Sequence, residues 1–309
     1  MGQRAERSRI VTLRVTLALA AVLVLGGAAS AAEYFSPQLL VDVEWLEEYG
    51  GRPGVRILDF RESREDYDAG HIPGAAFVDR SRITTTVGGI PTMLAHAESV
   101  VEAIREAGVG SASTVVVYDD SGGLWASRLF WALEYLGHED VRLLDGGWAA
   151  WNEEVREIAT VEPYRGEGDF TPCIRSDRLA TRDWILKHLD DPCTVFLDVR
   201  TPGEYTGVDA RAERGGHIPG AVNVDWVTAL TDDGSQRILS ANDLKALYGD
   251  AGVTPAMEAV TYCQGGVRAA HTYFVLRLMG YPWVRMYDAS WAEWGNDADV
   301  PAAGGETSE

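Results

Sequence analysis

Positive charge is scarce in this sequence, and lysine is nearly absent. Acidic residues number 47 against 27 basic ones, which gives a net charge of −20, and the lysines are Lys187 and Lys245 alone. A surface of this sign repels polyanions, which argues against nucleic acid or anionic lipid as a partner. An acidic net charge of this kind most simply serves to keep a protein soluble.

Cysteine is also rare, and its three copies do not form a redox motif. Cys173, Cys193 and Cys263 contain no C-x-x-C pair, which a thiol oxidoreductase would be expected to carry. An odd number leaves at least one thiol unpaired within the chain. Cys173 and Cys193 could form a disulfide in an oxidising compartment or remain two separate exposed thiols. The cysteine that needs a chemical explanation is Cys263.

A long hydrophobic run occurs only near the N-terminus. Four arginines precede the run VTLALAAVLVLGGAAS, which ends in small residues, and this is the pattern of a secretory signal peptide over residues 1–31. A membrane span needs about 20 apolar residues, so an uncleaved anchor is the less favoured alternative. No cysteine follows the run and no Arg-Arg pair precedes it, so neither a lipoprotein nor twin-arginine export is indicated. The sequence predicts an exported protein, periplasmic or extracellular, with no stable membrane insertion after the signal is removed.

The rest of the chain contains one unit twice. The stretch LVDVEWLEEYGGRPGVRILDFR matches LATRDWILKHLDDPCTVFLDVR without a gap, and HIPGA occurs in both halves. Each copy alternates apolar strands with amphipathic helices, which predicts an α/β fold of two tandem domains, each a mostly parallel sheet flanked by helices. The predicted parts are a first domain at 35–155, a linker at 156–169, a second domain at 170–300 and a disordered tail at 301–309.

The duplication separates structural residues from candidates for chemistry. A side chain found in both halves, such as Asp59 with Asp198, is most simply structural, and the two HIPGA histidines are interpreted as turn-stabilising residues. A gapless alignment of the halves places Asp120 opposite Cys263. We therefore expect the chemistry to lie in the second half.

The sequence around Cys263 predicts an anion-binding loop. An apolar strand ends in Cys-Gln-Gly-Gly-Val-Arg and turns directly into a helix, whose first N–H groups lack partners and whose dipole is positive at that end. The glycines let successive N–H groups converge, and the resulting field stabilises a thiolate, a persulfide or an anionic substrate. A buried structural cysteine is the alternative, but the sister loop lacks this residue. The candidate site is Cys263 as nucleophile with the loop residues Gln264, Gly265, Gly266, Val267 and Arg268.

Both halves resemble rhodanese domains, arranged as in the two-domain sulfurtransferases. The resemblance rests on the two HIPGA turns, the strand ends LDFR and LDVR, DGGWAAW with DASWAEW, and the loop CQGGVR. It implies an inactive first domain and a catalytic second domain. It also implies that Cys263 takes sulfur from a small anionic donor as a persulfide and passes it to cyanide or a thiol, with no metal or organic cofactor. Possible further lining residues of the site are Leu124 and Trp125, for which core packing is the alternative, and Asp198 and Arg200.

The loop departs from the family patterns that indicate a donor. Thiosulfate-using relatives often have a basic pair after the cysteine and mercaptopyruvate-using relatives often have Gly-Ser-Gly, whereas this loop has Gln264 and Gly265. The position at which many relatives bind the donor with arginine is Glu204, so we expect Arg268 to bind the oxyanion instead. On this charge argument thiosulfate is the expected donor and 3-mercaptopyruvate the alternative.

Two other functions are compatible with a cysteine loop on this fold. Phosphatases that resemble rhodaneses need five residues between cysteine and arginine, and the four found here argue against that activity. A non-enzymatic periplasmic sulfur carrier, fed by a partner protein, is a second alternative that the sequence leaves open.

Overall fold

The structure is a computed structural model that describes residues 33–153 and 156–304. The predicted signal peptide, residues 1–31, lies outside the described residues. Within the described ranges, no helix has both the length and the apolar character required to cross a bilayer.

A parallel sheet forms the centre of the first half. The strands of this half are β1 (Leu40–Val41), β2 (Val55–Asp59), β3 (Ala75–Phe77), β4 (Thr84–Val87), β5 (Ile90–Leu94), β6 (Thr114–Tyr118) and β7 (Val141–Leu144). Of these, β4 and β5 form a separate antiparallel hairpin. Across residues 33–153 the five strands of the sheet are all parallel, in the order β1-β7-β6-β2-β3. Helices flank the sheet: α1 (Val43–Tyr49), α2 (Arg64–Ala69), α3 (Arg80–Ile83), α4 (Ala97–Glu106), α5 (Leu124–Tyr135) and α6 (Gly147–Glu153).

The second half repeats this arrangement. Its strands are β8 (Leu179–Ala180), β9 (Thr194–Asp198), β10 (Val222–Asn223), β11 (Glu258–Tyr262) and β12 (Val284–Tyr287). Across residues 156–304 these five strands are parallel in the order β8-β12-β11-β9-β10, which is the order of the first sheet strand for strand. Its helices are α7 (Arg182–His188), α8 (Pro202–Thr206), α9 (Ala241–Asp250), α10 (Val267–Leu278) and α11 (Ser290–Trp294). The predicted α/β fold of two tandem domains is confirmed.

The central strand of each sheet is buried on both faces, and this explains its composition. Val115, Val116 and Val117 in β6 are fully inaccessible, as is Val260 in β11. A parallel strand covered by helices on both sides needs apolar side chains at successive positions rather than at alternate ones. The loops that follow β6 and β11 therefore emerge at the middle of the carboxyl edge of their sheets, where ligands bind in open α/β folds.

The two halves share one hydrophobic core across α5 and α10. Phe130 and Tyr273, which occupy matching positions of the repeat, face each other with ring centroids 6.5 Å apart. Glu134 and Arg277 are also matching positions, and they form an ion pair of 3.1 Å. Equivalent side chains therefore meet across the contact, which is the mark of an approximate two-fold axis between the halves.

The linker and the start of the predicted tail are held against the domains. Ala159 exchanges two backbone hydrogen bonds of 2.9 Å with His71. In the second half Ala303 does the same with His217, at 2.7 and 2.9 Å. Ala303, within the predicted tail, thus completes the backbone hydrogen bonding of the second HIPGA turn.

Candidate active site

Cys263 lies at the carboxyl end of β11 with a backbone donor aimed at its sulfur. The Gly266 N–H donates to Cys263 Sγ at 3.1 Å, and α10 begins at the next residue. Gly266 has φ +85°, a conformation that glycine adopts without strain, and it offers no side chain to cap the helix. The N–H group of Cys263 itself donates to Ser290 Oγ at 3.0 Å. The sulfur therefore lies at the N-terminus of α10, with the Gly266 N–H as its donor.

A carboxylate takes the matching place in the first half, and it belongs to Asp119 rather than Asp120. Tyr118 and Tyr262 hold the same position in their sheets, each paired with the aspartate that ends the neighbouring strand. The residues that follow them, Asp119 and Cys263, therefore correspond. The gapless alignment is wrong at this point, because the first loop has one more residue before its helix.

Asp119 shows how many donors this junction of strand, loop and helix can offer to one anionic group. Its carboxylate accepts the N–H groups of Ser121, Gly123, Trp125 and Ala126, at 2.7–3.0 Å. Burial raises the pKa of Asp119, and these four hydrogen bonds oppose the rise. The corresponding junction of β11, loop and α10 around Cys263 is suited to hold a thiolate or persulfide.

A cavity of about 410 Å³ leads to Cys263, whose exposed fraction is 2%. Its lining combines the predicted loop, the β4–β5 hairpin of the first half, and residues near α8 and α11: Cys263, Gln264, Gly265, Val267, Arg268, Gly89, Pro91, Thr92, Arg211, Ala292 and Asn296. Of the predicted loop residues, Gly266 is the one that does not line this cavity. Among the described residues, no group of three or more His, Cys, Asp or Glu side chains is placed to hold a metal ion.

The four further residues predicted as possible lining do not belong to the lining of this cavity. Asp198 and Arg200 form an ion pair of 2.6 Å and are both buried in the core. Trp125 packs against Phe60 of the first half, with ring centroids 6.4 Å apart, and Leu124 is the first residue of α5. The sequence could not separate these positions from the cavity, since both sets lie at the carboxyl edges of the sheets.

Arg268 is engaged by Glu204, which changes its expected role. Its two terminal nitrogens donate to the two Glu204 oxygens at 2.7 and 2.8 Å, and the carboxylate is inaccessible to solvent. Burial alone would raise the pKa of Glu204, but the hydrogen bonds and charge of Arg268 lower it to about 2. Arg211, 3.5 Å from Glu204, is about half exposed at the cavity. Because Glu204 offsets the charge of Arg268, Arg211 joins Arg268 as a source of positive charge at the cavity.

The β4–β5 hairpin is fixed onto the second half by polar contacts that are partly or fully buried. Thr92 Oγ1 lies 2.6 Å from the Gly265 carbonyl oxygen, and the Leu94 N–H donates to Asp288 Oδ2 at 2.9 Å. Arg128 of α5 is inaccessible and donates to Asp288 Oδ1 at 2.6 Å and to the Thr92 carbonyl at 2.7 Å. The wall of the site thus depends on the first half.

The covering of one half by the other is reciprocal. The Ile238 N–H of the second half donates to Asp145 Oδ1 of the first at 3.0 Å, which matches the contact of Leu94 with Asp288. This second segment lies over the Asp119 loop, where a side chain at Gly122 would come within 2.9 Å of Leu230. Each half therefore sends a segment across to the loop of its sister.

Sequence reasoning missed Arg128 and Ser290, although the repeat carries a signal for both. Arg128 stands opposite His271, and Ser290 opposite Gly147. Ser290 has φ +53° and Gly147 has φ +54°, so the active half keeps a strained serine where glycine is sufficient in the other. The serine hydroxyl, which accepts the Cys263 N–H, explains the difference.

The family of the chain follows from comparison with known proteins. A family model described as a rhodanese-like domain matches residues 42–154 and again residues 181–297. The chain belongs to the rhodanese family. The resemblance inferred from the two HIPGA turns and the CQGGVR loop is thereby confirmed.

This rhodanese aligns with nearly the whole length of several relatives. It is 38% identical over 286 residues to the sulfur carrier protein TtuD of Thermus thermophilus, covering 88% of this chain and 99% of that one. It is 37% identical over 289 residues to a thiosulfate sulfurtransferase of Corynebacterium glutamicum, covering 90% and 94%. The crystal structure of SseA from Escherichia coli, described with the rhodanese fold and mechanism of 3-mercaptopyruvate sulfotransferases, superposes with a TM-score of 0.73 at 28% identity, covering 82% of this chain and 98% of that one.

Proposed function

We propose that this rhodanese is a sulfurtransferase that moves the outer sulfur of thiosulfate to cyanide or a thiol through a persulfide on Cys263. The observation that carries the proposal is the hydrogen bond of 3.1 Å from the Gly266 N–H to Cys263 Sγ at the start of α10. A fixed donor at this place stabilises negative charge on sulfur, and both resting states of such a cycle carry that charge. The relative named thiosulfate sulfurtransferase supports the same reaction class.

The chemistry needs two displacements at sulfur. The Cys263 thiolate attacks the outer sulfur of thiosulfate, a new S–S bond forms, and the S–S bond of thiosulfate breaks with its electron pair leaving on sulfite. The persulfide anion remains in the loop. Cyanide then attacks the terminal sulfur, thiocyanate leaves, and the thiolate is restored. Charge and sulfur balance in both steps without an oxidant, a reductant or a metal.

The cavity supports an anionic donor but fits more than one. Arg211 and Arg268 can both face an oxyanion or a carboxylate at its wall. The likeness to SseA makes 3-mercaptopyruvate the second candidate donor, in which case the first step releases pyruvate. Thiosulfate is preferred here because its two negative charges are attracted more strongly than one carboxylate by the positive charge that Arg211 and Arg268 leave at the cavity after Glu204 offsets one of them.

Thiocyanate formation from cyanide, measured with thiosulfate and 3-mercaptopyruvate in parallel, tests this proposal. We expect a higher kcat/KM with thiosulfate. The reverse order would assign the enzyme to mercaptopyruvate. Absence of turnover with both donors, in a protein whose Cys263 is still rapidly alkylated, would favour a carrier that receives persulfide from a partner protein. The similarity to a sulfur carrier protein is the reason to test for this role.

We also propose that the protein acts outside the cytoplasm, on the strength of the N-terminal sequence pattern. The expected mature protein begins near Ala32 or Glu33. Mass spectrometry of the protein purified from its native host measures this directly, and a chain that retains Met1 would contradict export by a cleaved signal.

A further inference from the structure

One peptide plane decides whether the loop donor is aimed at the sulfur. The peptide between Gly265 and Gly266 carries the N–H that donates to Cys263 Sγ at 3.1 Å. In a trans peptide the carbonyl and the N–H point in opposite directions, so the Gly265 carbonyl must point away from the sulfur. Glycine on both sides leaves little steric resistance to rotation of this plane. The productive orientation therefore needs a contact that holds it.

The side chain of Thr92 supplies such a contact from the first half. Its hydroxyl oxygen lies 2.6 Å from the Gly265 carbonyl oxygen and 2.7 Å from that of Pro91. The hydroxyl has one hydrogen, and the Pro91 contact is exposed, so water can satisfy that carbonyl instead. The Gly265 contact is partly buried and has less access to water. The Thr92 hydroxyl is therefore better satisfied by donating its hydrogen to the Gly265 carbonyl oxygen.

The close approach explains why position 265 is glycine. A Cβ added at Gly265 would lie 3.0 Å from Thr92 Oγ1 and 3.3 Å from the Pro91 carbonyl oxygen. Both distances are tighter than ordinary contact, so a side chain here would require the hairpin to shift by a few tenths of an ångström. The loop backbone and the hairpin are therefore fitted to each other without an intervening side chain.

The repeat supplies an internal control for Thr92. Because Leu94 matches Ile238 in the reciprocal crossing, Thr92 matches Gln236. Both have positive φ, +60° and +53°, so this backbone shape belongs to the crossing segment in each half. A β-branched residue is especially unfavourable at positive φ. The half that covers the cysteine loop nevertheless has threonine there, with its hydroxyl on the loop.

We propose that Thr92 is a positioning residue for sulfur transfer: its hydroxyl holds the Gly265–Gly266 peptide in the orientation that aims the Gly266 N–H at the sulfur of Cys263. This inference rests on the proposed function, in which that sulfur carries negative charge as thiolate and as persulfide. It gives the first half a specific task in a reaction whose nucleophile lies in the second.

The test uses the mature chain with Cys173 and Cys193 replaced by serine, so that iodoacetamide reports on Cys263 alone. The variants are Thr92→Val, which keeps the shape but loses the hydroxyl, and Thr92→Gly, which loses the hydroxyl and relieves the backbone strain. Thr92→Ser keeps the hydroxyl. Thr86→Val makes the same chemical change at an exposed position of the same hairpin.

We expect Thr92→Val and Thr92→Gly to move the midpoint of the alkylation pH profile upward by about 0.5–1 unit, because the thiolate loses a hydrogen-bond donor. Their kcat/KM for thiosulfate should fall by ~10-fold. Thr92→Ser should restore both values, and Thr86→Val should change neither. A purely structural role predicts instead that Thr92→Gly, which removes strain, behaves as the parent protein.

An unshifted profile in both hydroxyl-free variants would overturn the inference, as would a Thr92→Ser variant that shifts as far as Thr92→Val. The outcome is separable from that of the proposed function. If the parent protein does not turn over thiosulfate, the function fails while the alkylation profile still decides the role of Thr92. If the parent turns over and the profile is unmoved by the variants, only the inference fails.

Discussion

Replacing Cys263 with serine should lower thiocyanate formation by at least ~10³-fold, because the reaction depends on a sulfur nucleophile that serine cannot replace. The serine hydroxyl is not ionised at neutral pH and cannot accept sulfur as a persulfide. Incubation of the parent protein with thiosulfate should add the mass of one sulfur atom, and the variant should show no addition. The loop backbone needs no change to accept serine, so the variant is expected to fold.

Cys173→Ser and Cys193→Ser are the matched controls for this substitution. Both cysteines are exposed and unpaired, and neither lines the cavity. Each control should keep the parent rate and the parent mass increase. Sulfur transfer retained in Cys263→Ser, or lost in a control, would place the nucleophile elsewhere.

Replacing Arg128 with methionine should cost about 3–5 kcal/mol of unfolding free energy, because it leaves the Asp288 carboxylate buried without its cation. The two side chains are 2.6 Å apart, and their exposed fractions are 0% and 8%. The same substitution in an Asp288→Asn background should cost less by at least about 1 kcal/mol, since no charge is then stranded. Urea unfolding of the four proteins measures both values.

An exposed ion pair provides the comparison for Arg128. Arg175 and Asp177 are 3.3 Å apart with about half of each side chain exposed. Arg175→Met should therefore change the unfolding free energy by less than about 1 kcal/mol. Equal losses at the two arginines, or no coupling between Arg128 and Asp288, would show that burial of this pair does not set its contribution.

Much of this architecture could be predicted because the repeat, the strand composition and the turn motifs all indicate the same fold. The apolar runs of β6 and β11 identify buried parallel strands, and the Gly-rich sequence after Cys263 identifies a helix start with free donors. The loop that carries the site could also be predicted, because its chemistry depends on residues that are adjacent in sequence.

What could not be predicted depends on contacts between distant parts of the chain. Thr92 and Gly265 are separated by 173 positions, and no periodicity or spacing connects them. The pairing of Arg268 with Glu204 likewise spans 64 positions, and it replaced the expectation of a free arginine facing the donor. The replacement of Asp120 by Asp119 has another cause. The sequence alignment matches the helices, whereas strand register decides which residue directly follows the strand.

The reciprocal crossing of the two halves makes the chain equivalent to an isologous dimer fused into one polypeptide. In a true homodimer the position of Glu134 would meet its own copy, and like charges would repel. Here that copy is Arg277, and the contact is an ion pair of 3.1 Å. Fusion also lets the two halves differ at the site. The second half has Cys263, the proposed nucleophile, and the first half has Asp119 at the matching position. The half without the nucleophile still contributes to the site, because its β4–β5 hairpin forms part of the cavity wall beside Cys263.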